Sequence, residues 1–133
     1  MGLDMYLIGD RFNWTDWKKP EGQRRPMVDG YEVSTQKLDL GYWRKHPDLH
    51  GYIVNTFANG KDECQEIDLS EKNLLNIIEA IKENKLPKTT GFFFGESDGT
   101  EKNKSILIIE KAIEWLKKEE PNVAKSISYR ASW

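Results

Sequence analysis

From Ser126 to Trp133 the chain alternates without a break: Ile127, Tyr129, Ala131 and Trp133 fall on one side, Ser126, Ser128, Arg130 and Ser132 on the other. A period of two sends successive side chains to opposite faces of a strand. This segment is therefore expected to be a half-buried strand, which needs both a neighbouring strand and a covering layer. Leu3 to Ile8 repeats the pattern, with Leu3, Met5 and Leu7 against Asp4, Tyr6 and Ile8, before Gly9-Asp10 ends it. Pairing of these two strands is the natural expectation.

Between them the period changes. After Pro47, Leu49, Ile53 and Phe57 recur every four residues, with Val54 widening the stripe. Proline suits a first helical turn, where its missing N–H would have no helical partner, so a helix is expected from Pro47 to Ala58, closed by Gly60. Ser70 caps a second helix with Leu74, Ile78 and Ile81 on one face, although Asn73 stands where a full capping box wants Glu or Gln. Leu86-Pro87 stops it. Thr100 starts a third, with Ile106, Ile109, Ile113 and Leu116 as its stripe and Pro121 as its end. Shorter strands are expected at Tyr31–Ser34, at Leu38–Trp43 (Leu38, Leu40 and Tyr42 on one face) and at Cys64–Leu69. Residues 11–30, punctuated by Pro20, Gly22, Pro26 and Gly30, read as a flexible loop carrying Lys18, Lys19, Arg24, Arg25, Trp14 and Trp17. The fold class that follows is α+β: one domain over 1–133, about three helices packed on a small, mainly antiparallel sheet of four or five strands.

A chain of 133 residues buries roughly two-thirds of its unfolded surface and needs no staple. With Cys64 as its single cysteine it forms no internal disulfide, which fits a reducing, cytoplasmic setting. Charged residues make up 32% with a net charge of −2, a solvated surface without the basic excess of a nucleic-acid binder. No apolar run reaches the roughly 20 residues of a membrane span. Walker, dinucleotide-binding, nucleophile-elbow and zinc signatures are absent, which tips the reading away from an enzyme.

The segment Tyr42-Trp43-Arg44-Lys45-His46-Pro47-Asp48-Leu49-His50-Gly51 gathers the chemistry. Arg44 and Lys45 precede a helix start, whose free N–H groups and dipole favour an anion. His46 and His50 stand four apart, as metal ligands on a helix do, yet further ligands would have to come from afar, from Cys64, Glu96 or Asp98. Neither a metal nor a cofactor is expected. Glu96 and Asp98 follow Phe92-Phe93-Phe94, where apolar walls raise a carboxyl pKa. The candidate ligand-binding residues are Trp43, Arg44, Lys45, His46, His50, Phe93, Glu96 and Asp98; no catalytic residue is assigned.

These blocks resemble a family of short bacterial and phage proteins of unknown function. Gly2-Leu3-Asp4-Met5-Tyr6 is similar to its opening. Tyr42 to Gly51 is similar to its central block, which more often reads Asn at Asp48, and Leu86-Pro87-Lys88-Thr89-Thr90-Gly91 through Gly99 to its third. Some members are labelled phosphoglycerate kinase, a much longer two-domain enzyme, and this sequence lends that label no support. The resemblance implies a phage or prophage-like context.

The functional expectation is a small cytosolic binding protein that captures an anionic small ligand or a host protein. One alternative is a small enzyme acting on a phosphate-bearing substrate with His50 as base and Glu96 or Asp98 as acid. Another is an oligomeric structural protein, suggested by a sheet edge and five tryptophans. No membrane partner is expected, and nucleic acid is disfavoured by the charge.

Overall fold

The computed structural model describes residues 2–89 and 102–133. Among these residues six strands and three helices run β1 (Asp4–Asn13), β2 (Met27–Val28), β3 (Tyr31–Glu32), β4 (Thr35–Arg44), α1 (Pro47–Phe57), β5 (Ile67–Leu69), α2 (Glu71–Lys82), α3 (Lys102–Lys117) and β6 (Val123–Ser132). Four strands form one antiparallel sheet in the order β4-β1-β6-β5, and β2 and β3 form a separate hairpin. The three helices pack on the sheet, so the expected α+β architecture is the observed one.

The pairing of the two alternating end segments is complete. Every residue of β1 has a partner on β6, from Asp4 opposite Ser132 to Asn13 opposite Val123. Leu3, Met5 and Leu7 join Ile127, Tyr129 and Ala131 under the helices, all 2% exposed or less. Leu49 and Ile53 of α1, Leu74, Ile77 and Ile81 of α2, and Ile109 and Ile113 of α3 close over them.

Gly9-Asp10 does not end β1. With β4 on one side and β6 on the other, the backbone of residues 9–12 is paired on both edges, and ladder bonds override a local turn signal. Residues 11–13 and 27–30 thus leave the loop, which narrows to 14–26. Asp29 and Gly30 have φ of +53° and +83°, the left-handed pair that a two-residue hairpin turn demands.

Three further expectations change. Leu38, Leu40 and Tyr42 do not share a face, because Leu7 pairs with Gly41 while Ile8 pairs with Asp39. Leu40 is the extra residue of a β-bulge, and a bulge resets the alternation. Tyr42 therefore faces outward, ring to ring with Tyr6, and donates its hydroxyl to the Asp4 carboxylate. Cys64 is not in a strand: its φ is +58°, and β5 starts at Ile67. Finally, the capping box of α2 is complete. Asn73 N–H donates to Ser70 Oγ at 3.1 Å and Asn73 Oδ1 accepts from Ser70 N–H at 3.0 Å, so the shorter amide does what glutamine would.

Two glycines set how closely layers approach. At Gly41 an added Cβ would lie 2.3 Å from Ile108 Cγ2, so α3 rests almost on the β4 backbone. At Gly51, inside α1, it would lie 1.9 Å from Thr89 Oγ1. Thr89 cannot easily withdraw, since its N–H donates to Asp48 Oδ1 at 2.9 Å and its hydroxyl to the Pro87 carbonyl at 3.0 Å. In an open helix Gly→Ala gains about 1 kcal/mol. Here Gly51→Ala is expected to lose about 1–3 kcal/mol through overpacking. Urea unfolding of Gly51→Ala in wild-type and Thr89→Gly backgrounds checks this: the loss should reverse to a gain once Thr89 is gone.

Candidate functional site

The segment from Trp43 to His50 does not act as one surface. Trp43 is 2% exposed, with its indole N–H donating to Ser105 Oγ at 2.8 Å. Arg44 and Lys45 are exposed, Lys45 at φ +53°, while His46 is buried as the N-cap of α1. The first helical turn, expected to attract an anion, carries its own carboxylate, Asp48, which already accepts from Thr89 N–H. Phe93, Glu96 and Asp98 lie outside the described residues.

His50 is the best-organised of the candidates, and the sequence did not reveal its partners. It is 2% exposed. Its Nδ1 stands 2.6 Å from the Tyr129 hydroxyl, and its Nε2 is 3.0 Å from both oxygens of Asp62. A carboxylate only accepts, so Nε2–H donates to Asp62 and Nδ1 accepts from the phenol. Burial, reinforced by the nearby Asp62 charge, pushes the Tyr129 phenol well above its ordinary pKa, which keeps it a donor. A substrate would have to displace Asp62 or Tyr129 to reach either ring nitrogen. The one available signal was Tyr129 on the buried face of its strand, since a buried phenol needs a partner. Nothing in the turn after Gly60 marked Asp62. Among the described residues no group of three His, Cys, Asp or Glu side chains is placed to hold a metal ion.

Cations do converge elsewhere, in the loop 14–26. A cleft of about 600 Å³ opens between that loop, the end of β1 and the turn at 121–123, and Arg11, Lys19, Arg24 and Arg25 line it with one carboxylate, Asp16. The loop is pinned by its own bonds: Asp16 N–H to the Arg24 carbonyl, Gln23 N–H to that of Pro20, and Arg24 Nε–H to that of Lys19. Trp14 N–H reaches across to the Asn122 carbonyl. Arg11 Nη2 donates to Glu120 at 3.0 Å. The bonded Lys125 ammonium, with Arg11 beside it, holds the Glu120 carboxyl below its usual pKa.

Among the described residues three buried side-chain polar atoms have no hydrogen-bond partner, and two of them, Arg11 Nε and Arg25 Nε, belong to this cleft. Buried donors are nearly always paired, and leaving one unpaired costs about 1–3 kcal/mol, more when it is charged. Arg25 also stands over the Phe12 ring at 5.8 Å, and Arg24 over Trp17 at 4.8 Å, contacts that steady each guanidinium without using its hydrogen bonds. No helix among the described residues is long and apolar enough to cross a membrane.

No family model, curated protein or solved structure matches the chain.

Proposed function

We propose that this chain is a small cytosolic binding protein that captures an anionic ligand in the cleft under the 14–26 loop. The observation that carries the reading is that Arg11 and Arg25, which line one cavity, each hold a buried Nε without a hydrogen-bond partner. An anion satisfies such donors and is gripped by the planar guanidinium fork. The cleft lies within the usual size range of small-molecule sites, about 300–1,000 Å³. The His50 network fits a supporting role, since both ring nitrogens are already engaged.

A second reading, capture of a host protein, draws on the same loop. The β2–β3 hairpin exposes Met27, Val28 and Tyr31, and Met27 and Tyr31 share a cleft with the exposed Trp17, the apolar and aromatic composition of an interface centre. The resemblance to phage proteins supports a host partner as well.

The test is thermal unfolding against inorganic pyrophosphate, phosphosugars and nucleotides. A ligand at about 100 times its Kd stabilises by about 2.7 kcal/mol, which raises Tm by several degrees. The expected result is a shift with phosphate-bearing compounds that Arg25→Ala removes. A flat response across the panel would move the assignment to the protein partner, to be sought by pull-down from host lysate.

A further inference from the structure

We infer that the anion taken by this cleft is the phosphate end of a nucleoside phosphate, with its base stacked on Trp14. The inference rests on the anion-binding reading above and adds a second half to the ligand. Beside the arginines the cleft is lined by Trp14, which is 55% exposed although its backbone is tied to Asn122. Its ring meets Phe12 edge to face, centroids 4.6 Å apart and planes at 77°. That contact steadies the indole, a half-exposed aromatic side chain in the lining of a cationic cavity. Phosphate alone has no use for it. A flat heteroaromatic ring does, and stacking of this kind contributes by dispersion whatever the base.

The rest of the lining fits the part of the ligand between ring and phosphate. Asp16 presents a carboxylate whose Oδ1 accepts from Lys18 N–H, and its other oxygen is of the type that takes ribose hydroxyls. Arg25 sits over Phe12, the ring that also meets Trp14, so the guanidinium and the indole are held by one shared aromatic. The indole centroid is 4.6 Å and the guanidinium carbon 5.8 Å from the Phe12 ring centroid, which puts both within the reach of one mononucleotide. The net charge of −2 argues against a long strand, whose affinity would have to come from many phosphate contacts.

The experiment is titration of the full chain with ADP, inorganic pyrophosphate, adenosine and a short single-stranded oligothymidylate, followed by calorimetry and tryptophan fluorescence. The expected result is ADP binding tighter than pyrophosphate by about 10–100-fold, with quenching that Trp14→Ala abolishes. In Trp14→Ala, ADP and pyrophosphate should bind alike. Arg25→Ala should weaken both. Trp14→Phe, which keeps a stacking surface, should retain most of the preference and shows that the alanine effect is not lost folding. Equal affinity for ADP and pyrophosphate in the wild type overturns the inference and leaves the anion site standing. Binding of neither overturns both. An oligothymidylate that binds more tightly than ADP, with a steep salt dependence, also overturns it, in favour of a strand.

Discussion

Trp43→Ala is expected to destabilise the protein by about 3–5 kcal/mol. Trp43 is the largest of the fully buried side chains and faces Met5 across the β1–β4 ladder. Its ring lies over the bare backbone of Gly41, 3.5 Å from where a Cβ would be, on the same spot where Ile108 of α3 descends. Truncation would open a cavity at the point where α3 meets the sheet, and the neighbours are backbone and helix, which collapse poorly. It would also strip Ser105 Oγ, a hydroxyl with no solvent exposure, of its indole donor. Trp43→Phe separates the two parts. It keeps most of the volume and removes the indole donor to the hydroxyl, at about 1–3 kcal/mol, and adding Ser105→Ala should restore part of that. Urea midpoints for wild type, Trp43→Phe, Ser105→Ala and the double variant give the cycle. A loss below about 1 kcal/mol in Trp43→Ala would show that the ring does not anchor α3.

The second large effect is alkaline. The folded Tyr129 phenol has its pKa raised by burial and by Asp62, while in the unfolded chain it ionises near pH 10. Below that pH both states hold the proton and stability is level. Above it the unfolded chain loses the proton and the folded chain keeps it, so unfolding gains. Stability should fall by about 1.4 kcal/mol per pH unit from Tyr129 alone, until the folded phenol ionises in turn. Tyr129→Phe should cost about 1–3 kcal/mol at neutral pH, through loss of the hydrogen bond to His50 Nδ1, yet flatten the alkaline limb. The measurement is the difference between the two stability curves from pH 8 to 11, because the other tyrosines and the lysines titrate in both proteins. A limb of equal steepness in the variant would assign the alkaline loss to another group.

What could be read in advance followed the physics of period. Buried faces of regular elements repeat, so β6, the first half of β1, α1 and α2 were legible from Ile127, Met5, Leu49 and Leu74. The fold class followed from their order. What failed was set by contacts distant in sequence. The bulge at Leu40 adjoins Gly41, onto which Ile108 packs from α3, and residues 9–12 are flanked by both β4 and β6. The same holds for the sites. His50 could be singled out as a rare residue type, but Asp62 and Tyr129 stand 12 and 79 positions away. The basic residues of the loop were visible, as were Trp14 and Trp17. Their convergence with Arg11 was not, because it depends on β1 running on to Asn13 and on the 121–123 turn coming alongside.

The full-length pairing of β1 with β6 also has a consequence for the order of events during synthesis. The strand that fills the middle of the sheet is the last element of this stretch to leave the ribosome. Until residues 123–132 emerge, β5 has no neighbour and β1 is paired on one edge only. The nascent chain therefore holds its helices over an incomplete floor, with a long open strand edge of the kind that invites wrong partners. Closure must bring residue 132 back to residue 4, the most distant contact in the sheet, and chains dominated by such contacts fold slowly.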